Sequence, residues 1–182
     1  MLYKIHAKSI IKKGIPLNRN NIKQIGSRVT ELLSAKGSCQ VIFAGGPGSG
    51  KSTLARVIKQ KGFLNISKKQ LVIIDDLQGP DNKKFKKKEL PLLVGAYKNR
   101  VLLLFDYKAA LYLKNADIGI IIVVTEEERL RNLKKRSTWG YKKYKKRFYR
   151  IPPVPFTYKQ SDTYVCSGNI LDIFGYENEN PY

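Results

Sequence analysis

"VIFAGGPGSGKSTLARVIKQ", residues 41–60, decides what kind of chain this is. It opens on an apolar run that ends in glycines, which reads as a buried parallel strand. Gly45, Gly46, Pro47, Gly48, Ser49, Gly50, Lys51 and Ser52 then meet every fixed position of G-x-x-x-x-G-K-[ST]. These residue types have a physical reason. Glycines let backbone N–H groups turn inward onto phosphate oxygens, and the helix that follows aims its positive end at them. Lys51 is then expected to bridge the β and γ phosphates of a nucleotide and the Ser52 hydroxyl to ligate Mg²⁺, with Thr53 a weaker candidate for a further phosphate contact. A chance match in a chain of this length is on the order of one per cent.

Outward from this unit the sequence alternates between strand and helix signals. Upstream, Gly14 and Pro16 read as turn signals, followed by a helix with Ile22, Ile25, Val29, Leu32 and Leu33 at helical spacing, closed by Gly37. Downstream, the helix that begins at Lys51 is expected to end at Gly62. "QLVIIDDLQGP" reads as a second strand, "RVLLLFDY" as a third, "ADIGIIIVVT" as a fourth and "DTYVCSG" as a fifth. A basic connection broken by Pro91, the short helix "KAALYLKN" and the acid-first, base-last run "EEERLRNLKKR" fill the intervals. "NILDIFG" reads as a last short helix. The fold class expected is α/β: a single P-loop NTPase domain with an about five-stranded parallel sheet, helices on both faces and a basic lid-like segment. Residues 1–38 are expected to form an N-terminal extension with one helix packed on the core, 39–175 the domain with its lid at 126–156, and 176–182 a polar tail.

Length and composition agree with one globular unit: 182 residues, 42% of them hydrophobic, suffice for one full core and not for two. Cys39 and Cys166 have no metal-ligand spacing and read as small buried thiols of a reducing compartment. No apolar run reaches bilayer length, and lysines flank the few apolar residues of "MLYKIHAKSIIKKG", so a cytoplasmic, intracellular protein without a membrane partner is expected. The unusual quantity is charge. Thirty-five Lys and Arg against 14 Asp and Glu give +21, a field that attracts polyanions, nucleic acid first among them.

In so basic a chain the position of each carboxylate is informative. Ligands of open parallel sheets sit beyond the carboxyl ends of the strands, where Asp75, Asp76 and Asp106 are expected. Phosphoryl transfer needs a Mg²⁺ ligand and a group that orients or deprotonates the attacking hydroxyl. Asp75 serves as base or metal-shell ligand in this reading, Asp76 is a close second, and Asp106 is a further metal candidate.

The order of these motifs, with "ADIGIIIVVTEEERLRNLKKR" and "SDTYVCSGN" after them, resembles that of P-loop nucleoside and nucleotide kinases, especially uridine kinase and dephospho-coenzyme A kinase. The resemblance spans Val41 to about Phe174. It implies that Asp75 or Asp76 activates an acceptor hydroxyl. It implies that Arg129, Arg131 and Arg136 of a lid helix contact phosphate, and that Ser167, Gly168 and Asn169 lie near the nucleotide base. Three features depart from the pattern: a short stretch between the second and third strands, Ser137 where an acid is common, and "FDYK" in place of glutamate-glycine.

From Arg129 to Arg150 eleven basic residues occur with no acid, interleaved with Trp139, Tyr141, Tyr144, Phe148 and Tyr149. Rings that stack on bases beside phosphate-holding cations make this a candidate RNA or DNA surface, to which Lys83–Lys88 could add; a lid closing over ATP is the competing reading. The function expected is an ATP- and Mg²⁺-dependent phosphotransferase acting on a nucleoside, nucleotide or nucleic-acid end. The alternative is a nucleic-acid-binding NTPase that remodels or packages, although "IIDD" and "LLFD" lack the glutamate such enzymes usually carry.

Overall fold

The computed structural model describes residues 14–75, 97–105, 116–136, 141–142 and 162–176. Within them β1 (Ile15–Leu17), β2 (Ser38–Ala44), β3 (Leu71–Asp75), β4 (Arg100–Phe105), β5 (Ile118–Val123) and β6 (Asp162–Ser167) form one sheet in the order β1-β6-β5-β2-β4-β3. Every pairing is parallel. The helices are α1 (Ile22–Lys36), α2 (Lys51–Lys61), α3 (Glu126–Arg136) and α4 (Ile170–Ile173). The chain is therefore α/β with a parallel sheet, as its alternating pattern implies.

The sheet has six strands, not about five. The additional one is β1, in the stretch whose Gly14 and Pro16 read as a turn. A three-residue strand shows no period, and proline cannot donate to a ladder; it is tolerated here because β1 lies at the sheet edge, beside β6. Leu17 anchors the strand in the core at 4% exposure, whereas Ile15 stands 47% exposed.

Helix α1 forms where the 3.6-residue period places Ile22, Ile25, Val29 and Leu32 on one buried face. It stops at Gly37, whose N–H donates to the Leu33 carbonyl at 2.9 Å. Helix α2 buries Leu54, Ala55, Val57 and Ile58 and ends against Gly62. Side chains alternate along β2 and β4, so Val41, Phe43, Val101, Leu103 and Phe105 join α1, α2 and α4 in one core cluster. Ile42, Leu102, Leu104 and Ile121 are buried too, so the sheet is covered on both faces, as parallel sheets are. Phe43 is the hub of the cluster, stacked on Phe105 at 4.3 Å between ring centroids and 6.0 Å from both Phe63 and Phe174.

Cys39 and Cys166 are both buried and unbridged. Burial, with Asp117 near Cys39 and Glu128 near Cys166 adding to it, pushes each thiol up to about 12. A thiolate is the reactive form, so neither is expected to react at neutral pH in the folded chain. Titration with a chromogenic disulfide should register both cysteines in denaturant and almost none beforehand. Rapid labelling of the native protein would show that one of them opens to solvent.

Candidate functional site

The glycine-rich loop leaves β2 at Ala44 and enters α2 at Lys51. From β2 the chain passes to β3 at the sheet edge, returns to β4 beside β2, and then crosses to β5 on β2's other side. The loop thus stands at the carboxyl ends of the strands where their order reverses, the position at which open α/β sheets hold ligands.

Gly48 and Gly50 have φ of +88° and +90°, the left-handed region that a side chain makes costly. The Ser49 N–H donates to the Gly46 carbonyl at 3.1 Å and closes the turn between them. Ser49 is only 3% exposed, whereas a Cβ built on Gly46 would meet nothing within 4 Å, so the loop is packed at one position and open at the other. Lys51 folds back along the loop. Its Nζ donates to the carbonyls of Gly45 at 2.6 Å and Gly46 at 3.1 Å and to Ser49 Oγ at 3.3 Å. The leading N–H groups of α2, on Lys51, Ser52 and Thr53, have no carbonyl one turn earlier within the helix, and no acid stands in that first turn. These are the requirements for holding an anion.

Ser52 Oγ donates to Asp75 Oδ1 at 3.2 Å. Asp75 ends β3, two strands away from β2, and the contact forms because α2 packs across β4 and β3 and carries Ser52 over them. A hydroxyl that ligates a cation uses an oxygen lone pair and turns its proton to an acceptor, which here is Asp75. An all-oxygen pair fits a hard cation that takes its remaining ligands from phosphate and water. Among the described residues no group of three or more His, Cys, Asp or Glu could hold a metal by itself. Asp76 and Asp106 lie outside the described residues.

Helix α3 is braced against the loop. Thr125 Oγ1 accepts from the Glu128 N–H at 3.1 Å at its start, where Glu126, Glu127 and Glu128 complement the helix dipole. Arg129, 5% exposed, clamps Glu126 with two bonds, Nε to Oε2 at 2.7 Å and Nη2 to Oε1 at 2.6 Å. That hydrogen bonding holds the Glu126 carboxyl below its ordinary range. One turn on, Asn132 Nδ2 donates to the Gly48 carbonyl at 2.9 Å. Arg129 and Arg131, expected together on a lid helix, occupy different settings on α3. Arg129 is buried beside Gly48 with its guanidinium on Glu126, Arg131 is exposed two residues along, and Arg136 ends the helix. Lys134 lies over the Tyr141 ring, 5.2 Å from its centroid; Lys83–Lys88 and most of the basic stretch beyond Arg136 are outside the described residues.

Asn169 caps α4, accepting from the Leu171 N–H at 3.1 Å and donating to Asp172 at 3.0 Å. The cap brings α4 to the loop, with Ile170 Cγ2 3.2 Å from where a Cβ on Gly50 would stand. Ser167 and Gly168 lead into that cap. Glu126 and Asn132 were not among the residues singled out by sequence. Their signal was the i, i+3 spacing of Glu126, Arg129 and Asn132, which puts all three on one side of a helix.

Gly48 is the tightest point of the brace. A Cβ there would stand 2.7 Å from the Arg129 carbonyl oxygen, a backbone atom, in addition to the strain of its positive φ. Gly48→Ala should destabilise the fold by about 1–3 kcal/mol and push α3 off the loop. Chemical denaturation together with proteolysis in α3 would reveal both effects; an unchanged midpoint would refute the brace. Compared with family models, curated proteins and solved structures, the chain matches none.

Proposed function

We propose that this chain is an ATP-dependent phosphotransferase of the P-loop kinase type, passing the γ phosphate to a hydroxyl or phosphate of a nucleoside, a nucleotide or a nucleic-acid end. The observation that carries the reading is the Ser52–Asp75 hydrogen bond beside Lys51, at the mouth of a loop whose glycines take left-handed φ. In this reading the loop N–H groups and Lys51 hold the β and γ phosphates, and Ser52, oriented by Asp75, holds Mg²⁺. The metal supplies charge neutralisation on the terminal phosphates when bound. Asp75 then belongs to the metal shell, and Asp76 and Asp106 are the candidates for the carboxylate that takes the acceptor's proton. Arg129 braces the loop, and Arg131 and Arg136 are left as candidates for the transferring phosphoryl group.

The net charge of +21 favours one competing reading, an NTPase whose hydrolysis is coupled to nucleic acid. Product partition separates the two. ATP labelled in the γ phosphate is incubated with Mg²⁺ and a panel of nucleosides, nucleotides, dephospho-coenzyme A and 5′-hydroxyl RNA and DNA strands. Label on an acceptor is the expected result. Label in free phosphate alone, rising with RNA or DNA, would replace the kinase reading with the NTPase one.

A further inference from the structure

A loop that holds an anion with its N–H groups has to turn its carbonyl oxygens elsewhere, because an oxygen lone pair aimed at a phosphate repels it. The donors that hold those carbonyls are therefore part of the site. Gly45 and Gly46 accept from Lys51 Nζ at 2.6 Å and 3.1 Å, and Gly50 accepts from the Leu54 N–H at 2.9 Å as α2 begins. These donors belong to the helix that the loop leads into. Gly48 differs, since its carbonyl accepts from Asn132 Nδ2 on α3 at 2.9 Å, 84 residues away in the chain. An ammonium that turns to the β and γ phosphates gives up bonds to Gly45 and Gly46, whereas the Asn132 bond makes no such demand on Lys51.

The Gly48 carbonyl is a sensitive place to hold. Gly46 to Ser49 form a β-turn closed by the Ser49 N–H on the Gly46 carbonyl at 3.1 Å, with Pro47 and Gly48 as its central residues. Proline fixes φ near −65°, and the φ of +88° at Gly48 completes the type II arrangement. A trans peptide points its C=O and N–H in opposite directions. The Gly48–Ser49 peptide is thus held at both edges, its carbonyl by α3 and its N–H by Gly46. Glycines on either side, Gly48 and Gly50, would otherwise let the neighbouring peptides rotate at little cost. This fixed peptide governs which way the following N–H groups face, those of Gly50, Lys51 and Ser52. Packing aims Asn132 at it. A Cβ on Gly48 would stand 3.0 Å from Arg129 Cγ and 3.1 Å from Leu133 Cγ, so residues three before and one after Asn132 seat α3 on the turn.

We infer that Asn132 is a positioning residue of the phosphate site: acting through the Gly48 carbonyl, it holds the loop with its amides inward before a nucleotide arrives. The inference rests on the proposed function only in that the loop binds a nucleotide's phosphates. Donors that are already in place bind more tightly, because the cost of ordering them does not fall on the binding step. Asn132 is half-buried, so water competes less for the bond than it would at an open surface.

The test combines calorimetric titration of MgATP with carbonyl ¹³C and amide ¹⁵N spectra of the ligand-free protein. Asn132→Leu fills the same space without a donor and Asn132→Ala vacates it. Both should weaken MgATP binding about 3–10-fold, the net worth of one hydrogen bond. Both should also move the Gly48 carbonyl and the Gly50 and Lys51 amide signals with no nucleotide present. Asn132→Gln, which carries the same amide on a longer stem, should recover part of the affinity. Native affinity in the leucine and alanine variants would overturn the inference and leave nucleotide binding by the loop intact. So would equal losses in all three variants, since packing of α3 and not the donor would then be responsible, or ligand-free loop signals that stay in place. Absence of MgATP binding by the native chain would overturn the phosphate-loop reading itself, and this inference with it.

Discussion

Lys51→Ala is expected to lower γ-phosphate transfer by on the order of 10²–10³-fold, the cost of removing one well-placed donor from a developing charge. That factor corresponds to about 2.7–4 kcal/mol of transition-state stabilisation. The fold should survive. Lys51 donates to Gly45, Gly46 and Ser49 on the loop itself and takes no part in the buried core cluster. Lys51→Arg should not restore activity, because a planar fork cannot replace a compact ammonium on carbonyls 2.6 Å and 3.1 Å away. Single-turnover transfer measured beside thermal unfolding distinguishes the two effects. Transfer within a few-fold of the native rate would remove Lys51 from the chemistry.

The second large effect concerns the core on which the loop rests. Phe43→Ala should destabilise the chain by about 3–5 kcal/mol, the range for deleting a buried aromatic ring. The position is severe for two reasons. Phe43 is fully buried, and its ring meets Phe105 in a stack and Phe63 edge-on, so one deletion opens a cavity against three partners, Phe174 being the third. It also lies in β2, two residues before the loop begins. Urea unfolding should show a lower midpoint with an unchanged slope, because the surface exposed on unfolding is nearly the same. Phe43→Leu, which refills most of the space, should recover a large part of the loss. A shift below about 1 kcal/mol for the alanine variant would mean that the cluster is not the centre of the core.

The elements nearest Gly45–Ser52 were the most legible in the sequence, because their local signals agree with their tertiary roles. The strand ends in glycine, the helix period matches the buried set, and Gly37 and Gly62 stand where α1 and α2 stop. Strand β1 was not legible: Pro16 signals a turn everywhere except at a sheet edge, and edge position is not a local property. Nor could spacing reveal that β4 lies between β2 and β3, since a parallel crossover can pass over a neighbour without changing the pattern of either strand. Asp75 was identified as a carboxylate near the loop. What singles it out is Ser52, 23 residues earlier, brought to it by α2. Sequence likewise grouped Arg129, Arg131 and Arg136 by type. The fold separates Arg129 from Arg131, because residues two apart on a helix do not share a face.

The central claim is that the loop at Gly45–Ser52 cradles a nucleotide's phosphates, and backbone amide spectra tell this most directly. Titrating MgATP into ¹⁵N-labelled protein should move the amide signals of Gly46, Gly48, Gly50, Lys51 and Ser52 most, with Asp75 following through its bond to Ser52. The same titration on Lys51→Ala should need far more nucleotide. Saturating MgATP that leaves those amides in place, or that shifts only residues at another face of the sheet, would contradict the account.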